Sequence, residues 1–227
     1  MSLIPPSFLF RLCYPCLYVP GFPAAEGDDL LGLPARCTLP DSMRLTEKPG
    51  FAEVRVAWNE AGLGIELRVK GKDQPVRGEA GKYRNSDGIS VWIDTRSARE
   101  SHRASRFCHH FYFLAGGASG DEDMPSAGQT KIHRALADAP LCNPDKLEVR
   151  KHAMKGGYRL ECFIPAEALN GFDVDLNRQF GFFYAVRDRE LGEQTLGLGA
   201  EFPFAEDPSL WQLLELETQG KVRAALS

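Results

Sequence analysis

Apolar residues alternate with polar ones through much of this chain, the period of a strand with one face in a core. In "AEVRVAWN", Val54, Val56 and Trp58 share one face and Arg55 and Ala57 the other. In "GLGIELRVKG", Leu63, Ile65, Leu67 and Val69 alternate with Gly64, Glu66, Arg68 and Lys70. Asn59-Glu60-Ala61-Gly62 lies between these runs, so they predict a hairpin. "GISVWID" repeats the pattern, with Ile89, Val91 and Ile93 on one face and Ser90, Trp92 and Asp94 on the other.

Other runs are apolar on both faces. "RFCHHFYFLAGG" sets Phe107, His109, Phe111 and Phe113 against Cys108, His110, Tyr112 and Leu114, which predicts a strand covered on both sides. "QFGFFYAVRD" carries Phe180, Phe182, Tyr184 and Val186 on one side; "EVRKHAMKGGYRLECFIP" reads as two strands about Gly156-Gly157; "LWQLLEL" reads as a closing strand. Helical patterns are scarce. "PAEAL" (Pro165 to Leu169) and the stretch 133–139 are expected to turn once or twice, and 116–129 and 192–208 read as loops. The expected fold is all-β, an antiparallel jelly-roll-like β-sandwich with one or two short helices. Residues 46–227 are expected to form that single domain, with 1–45 a Pro-rich segment packing on it.

Composition changes this picture little. The chain has 227 residues, long enough to bury a core without staples, and its 43% hydrophobic and 26% charged residues suit a globular protein. A formal net charge of -4 gives no basic excess, so nucleic acid is not an expected partner. The apolar N-terminus is interrupted by Pro5-Pro6 and Arg11, which argues against a signal peptide and against a membrane span, and the protein is expected in the cytoplasm, with secretion the alternative. Of six cysteines, Cys13 and Cys16 form a CxxC with no second pair to complete a zinc site; Cys108 and Cys162 are expected as buried thiols.

Four motifs in order carry a resemblance: "YRNSDGISVWID", "GGYRLECFIPAEAL", "FGFFYAVRD" and "DPSLWQLLEL". Together they resemble family 9 carbohydrate-binding modules, of the wider DOMON-like group of sandwiches, over about Phe51 to Leu216. The matching positions are Asp87, Val91, Trp92, Ile93 and Asp94; then Gly157, Tyr158, Glu161, Ile164 and Pro165; then Gly181, Phe182, Val186 and Asp188, with Arg187 where the family has Asn. The resemblance implies a jelly-roll sandwich first and sugar binding second. In that family two tryptophans grip a sugar ring and calcium braces loops. Here the first gripping position falls at Arg84, beside Tyr83, and the second near Gly197–Leu198, with Phe202 and Phe204 the nearest aromatics.

A sugar site needs flat rings against the C–H face of a pyranose and a few polar groups for its hydroxyls. Tyr83, Arg84, Trp92, His110, Tyr112, Arg187, Asp188 and Phe202 are the candidates. The alternative for Trp92, His110 and Tyr112 is burial beneath the N-terminal segment. Calcium is the cofactor the resemblance implies, with Asp87 and Asp94 as candidate ligands or, alternatively, turn caps. Asp121-Glu122-Asp123 reads as a solvated charge run. His109 and His110, adjacent on a strand, face opposite ways and cannot share an ion. No GxSxG, P-loop or dinucleotide fingerprint occurs, so non-catalytic carbohydrate binding is expected rather than an enzyme. The alternatives are an interaction protein that kept the sandwich without the sugar grip, and a haem-binding or carbohydrate-active domain; haem needs an axial Met or His pair in a pocket, which Met154 and His110 do not convincingly make.

Overall fold

In a computed structural model, residues 12–41 and 50–218 are described, apart from 80, 99, 119 and 122. Among the described residues there are eleven strands: β1 (Cys13–Tyr18), β2 (Ala52–Asn59), β3 (Gly62–Lys70), β4 (Gly88–Asp94), β5 (Cys108–Leu114), β6 (Ser126–Thr130), β7 (Glu148–Met154), β8 (Gly157–Pro165), β9 (Gln179–Asp188), β10 (Gly192–Thr195) and β11 (Gln212–Leu216). They form one ladder, β6-β5-β4-β9-β11-β1-β2-β3-β8-β7, with β10 pairing the last residues of β9 on the edge that β11 takes at its start. The ladder folds into two layers and nearly closes into a barrel. This is the all-β sandwich that the alternation predicts. The helical pieces are smaller than expected: Ala166–Ala168 is a single 3-10 turn, and His133–Arg134 is a plain turn.

The fold turns on β1, which switches between the layers. Cys13 to Cys16 pair in parallel with Leu213 to Leu216 of β11, whereas Leu17 and Tyr18 pair in parallel with Ala57 and Trp58 of β2. A strand that changes sheets makes the corner of such a sandwich. Each half of β1 has a partner on one side, so Pro15, which has no N–H to give, can stand within it. Of the leading segment expected to pack on the domain, β1 is a strand of the sheet itself, while Phe22, Leu30, Leu31 and Leu33 pack on an outer face; residues 1–11 and 42–45 of that segment lie outside the described residues. Two expected loops also hold strands, since β6 takes the end of 116–129 and β10 the start of 192–208.

The inner faces carry the core. Paired residues of antiparallel strands share a face. Ile89, Val91 and Ile93 of β4 therefore lie with Phe113, Phe111 and His109 of β5 and with Val186, Tyr184 and Phe182 of β9. Opposite them, Val54 and Val56, Leu63 to Val69 in alternation, and Leu160, Cys162 and Ile164 belong to the same cluster, each almost fully buried. All six cysteines are free thiols, and burial pushes that of Cys108 up to about 12.

Both layers also have a covered outer face. On β2, β3 and β8, Ala57 and Phe163 are sealed by Phe22, Leu30, Leu31 and Leu33 of the leading segment. On β4, β5 and β9 the opposite parity puts Trp92, His110 and Phe183 in one row and Ser90, Tyr112 and Ala185 in the next. The connection between β10 and β11 crosses this face and lays Phe204 on Phe183, with ring centroids 4.5 Å apart.

Candidate functional site

A cavity of about 280 Å³ opens on the outer face of the β4–β5–β9 layer. Trp92 and His110, cross-strand partners, are stacked in it with centroids 4.2 Å apart and planes 18° apart. Tyr83 and Arg84, in the 3-10 turn before β4, contribute one side; Phe202, Phe204 and Glu206, from the β10–β11 connection, contribute another. Lys131 and His133 enter from the end of β6, and Arg187 and Glu193 are cross-strand partners on β9 and β10.

Six of the eight residues nominated from sequence meet here: Tyr83, Arg84, Trp92, His110, Arg187 and Phe202. Trp92 is 1% exposed, so it is floor rather than rim. It is covered by Phe204, 5.4 Å away edge to face, and not by the N-terminal segment, which seals the other layer. Tyr112 lies one row away, beneath Tyr83, whose ring stacks on it at 5.2 Å. Its ring fits because Gly128 stands opposite: a Cβ there would fall 2.3 Å from the Tyr112 hydroxyl oxygen.

Asp188 is not in the cavity. Strand parity turns it to the inner face while its neighbour Arg187 turns outward. It lies buried with Asp87 around Lys72, whose Nζ is 2.9 Å from Asp188 and 3.1 Å from Asp87. Burial alone would depress the Lys72 pKa, but hydrogen bonds and charge from Asp188 and Asp87 outweigh it and hold the ammonium above its usual value. Asp87 also accepts the backbone N–H groups of Arg77 and Arg189 at 2.9 and 2.8 Å. Asp94 accepts those of Arg96 and Ala98 at 2.9 and 2.7 Å, and burial raises its pKa. As they stand, then, Asp87 matches a lysine and Asp94 caps a turn, and neither presents the open oxygen set that calcium takes. Of the acidic run, Glu122 lies outside the described residues, while Asp123 is exposed and pairs with Lys151 at 3.3 Å.

The polar atoms of the cavity divide into paired and unpaired. Arg187 pairs with Glu193 at 2.7 Å and His133 with Glu206 at 2.9 Å. Trp92 Nε1 and His110 Nε2 are buried with no hydrogen-bond partner. Burial, and then the positive charges of Arg187 and Arg84, push the His110 pKa down to about 3, so the ring is neutral at pH 7. His109 faces the other way, as expected; its Nε2 lies 3.5 Å from the Asn170 carbonyl oxygen and its Nδ1 3.2 Å from Gln129 Nε2. Met154 ends β7 in the other layer, away from the row that holds His110.

Alternation does not mark Lys131, His133, Glu193 and Glu206, which lie in or beside 116–129, 133–139 and 192–208, stretches whose sequence reads as loops or short turns. A second cluster, Asp29, His152 and Glu161, brings ligand-type atoms within 4.8 Å of one another. It is a structural hub. Glu161 accepts the N–H groups of Leu30, Leu31 and Gly32 at 3.0–3.1 Å and lies 2.8 Å from His152 Nε2, and Arg159 pairs with Asp29.

No known family profile matches the chain, and neither does any curated protein. Solved structures do. A family 9 carbohydrate-binding module from Caldicellulosiruptor kristjanssonii in complex with cellotriose superposes at TM-score 0.60, with 13% identity, over 92% of this chain and 95% of that one. This chain has a family 9 carbohydrate-binding-module-like fold. Such a module from the same organism in complex with glucose superposes at 0.57, with 12% identity, over 92% of this chain and 97% of that one. A structure from Bacteroides uniformis gives 0.50 and 14%, over 73% of this chain and 78% of that one. The similarity to the two family 9 modules spans nearly the whole chain.

Proposed function

We propose that this protein binds carbohydrate without catalysis, holding one sugar ring in the cavity over Trp92 and His110. The observation that carries the reading is a ring-lined hollow that retains unpartnered buried polar atoms, Trp92 Nε1 and His110 Nε2. Buried polar groups are almost always hydrogen-bonded, so orphans at a cavity are groups a ligand can complete. Tyr83 and Phe202 offer ring faces and edges to the C–H side of a pyranose, and Trp92 Nε1–H can donate to a hydroxyl. A volume of about 280 Å³ suits one or two sugar units. The modules of similar fold that hold cellotriose and glucose support the same reading.

The two cavity carboxylates, Glu193 and Glu206, are each engaged by a neighbouring side chain, Arg187 and His133, which supports binding over acid–base chemistry. With few ligand atoms buried, dissociation constants on the order of micromolar to millimolar are expected.

The test is a titration of tryptophan fluorescence and a parallel calorimetric titration with mono- and oligosaccharides. One of three tryptophans lines the cavity, so a ligand there should change the emission. Tyr83→Ala should weaken binding about 5- to 10-fold, the worth of one ring stack, with stability changed by less than about 1 kcal/mol. Silence across neutral and acidic saccharides sinks the proposal and leaves a sandwich that serves as an interaction surface.

A further inference from the structure

Three of the basic side chains at the cavity already have carboxylate partners: Arg187 with Glu193, His133 with Glu206, and Lys131 with Asp138 at 2.6 Å. Arg84 is different. Its Nε lies 3.3 Å from the Tyr83 hydroxyl and its guanidinium packs 5.8 Å from that ring, but among the described residues no carboxylate pairs with it. It is exposed, and it forms the wall between the aromatic cavity and a second hollow of about 730 Å³.

That second hollow is strongly basic in a chain of net charge -4. Arg77, Lys82, Arg84 and Arg189 line it together with one carboxylate, Glu79, which pairs with Lys82 at 2.5 Å. Arg77 and Arg189 have no ion-pair partner among the described residues. Their placement is fixed from below, because buried Asp87 accepts the backbone N–H of each. Three unmatched arginines thus border one groove, and the groove is continuous at Arg84 with a cavity that holds two unpartnered buried polar groups.

We propose that the two hollows together bind an acidic oligosaccharide, with a terminal uronic-acid ring in the aromatic cavity, its carboxylate on Arg84, and the next acidic unit against Arg77 and Arg189. This rests on the reading of the aromatic cavity as a sugar site. Arginine is suited to the role because its planar fork meets a carboxylate with two parallel hydrogen bonds. Like charges gathered without partners repel one another, and an anionic chain relieves that repulsion while it is steered in by the same field. The trisaccharide spans both hollows; a single uronic acid fills only the first.

Calorimetric titrations with trigalacturonate, neutral galactotriose, galacturonate and a short oligothymidylate separate the outcomes. Trigalacturonate should bind about ten-fold or more tighter than galactotriose at low salt, with the gap shrinking as salt is added. Arg84→Gln should cost the acidic trimer about ten-fold and narrow its lead over the neutral one. Arg77→Gln and Arg189→Gln should weaken the trimer and spare galacturonate. Equal or tighter binding of galactotriose overturns the acidic assignment and leaves the sugar site standing. So does an unchanged lead in Arg84→Gln, and so does tighter binding of oligothymidylate, which would mark the groove as a phosphodiester site. If no saccharide of either kind binds, both the sugar site and its acidic preference are wrong.

Discussion

The two outer faces of this sandwich are finished differently. Over β2, β3 and β8 the leading segment closes the surface: Phe22, Leu30, Leu31 and Leu33 pack on Ala57 and Phe163, and the backbone of 30–32 is pinned to Glu161. Over β4, β5 and β9 the β10–β11 connection covers half the row, with Phe204 on Phe183, and leaves a cavity over the rest. The first face spends its buried carboxylate, Glu161, on its own cover, and its two orphan atoms, Glu66 Oε2 and Arg159 Nε, belong to groups already ion-paired through another atom. The second keeps Trp92 Nε1 and His110 Nε2 unspent. Sealing against one's own chain gives stability, whereas leaving polar groups unmatched beside open space gives capacity to bind.

Removing the pin should expose the contrast most strongly. Glu161→Ala leaves the N–H groups of Leu30, Leu31 and Gly32 without an acceptor, the first two of them buried, and strands His152. It should lower stability by about 3–5 kcal/mol, read as a fall in the urea midpoint. The aromatic cavity, on the opposite side of the sandwich, should keep its ligand affinity in whatever fraction stays folded. A loss under about 1 kcal/mol would mean that the leading segment is held by its apolar contacts alone.

Acid should loosen the two faces in sequence. Burial, then the charges of Arg187 and Arg84, lower the His110 pKa to about 3 from 6.5. The unfolded chain therefore takes up a proton below about pH 6.5 that the folded one refuses, and stability falls by about 1.4 kcal/mol per pH unit for this residue as pH drops toward the folded value. His109, lowered to about 4 by burial, adds a similar slope from the inner face. Glu161 acts lower down. Burial would raise its pKa, but the amides of Leu31, Leu30 and Gly32 and the His152 contact outweigh it and hold it below 4.5. Its contribution is complete above that value and is lost as pH falls through the folded pKa. Between pH 6.5 and 4.5 the decline should thus belong to the histidines, and His110→Gln should flatten it by about 1.4 kcal/mol per unit in a series of urea midpoints. An unchanged slope would mean that His110 is protonated in the fold, matched by a carboxylate.

The sequence made the inner faces legible because alternation is local: Ile89-Val91-Ile93 and Leu63-Ile65-Leu67-Val69 announce themselves within a few residues. The row of Trp92 and His110 was legible for the same reason, and so were the motifs around Asp87 and Glu161. What escaped depends on distant parts of the chain. "CYPCLY" has a proline where a strand was not looked for, and it is a strand because the far C-terminal β11 offers it a parallel edge. The roles of Asp87 and Glu161 turn on Lys72 and on the amides of Leu30 to Gly32, which no short window joins to them. Lys131 and His133 reach the cavity only because Gly128 lets β6 pass over the ring of Tyr112.

The smallest expected effect is the sharpest test of whether the second face is kept open for a ligand. In Trp92→Phe the row stays aromatic, against His110, Phe183 and Phe204, but the unpartnered indole N–H is gone. Losing a buried orphan donor is favourable and losing part of the ring is not; each is worth about 1–3 kcal/mol, and they oppose. Net stability should therefore move by less than about 1 kcal/mol. If that N–H donates to a bound sugar, affinity should fall about 3- to 10-fold, the value of one hydrogen bond, while stability holds. A clear loss of stability with affinity untouched would reverse the contrast. The indole would then be filler, as Phe163 is on the other face, and the two faces would differ only in how completely each is covered.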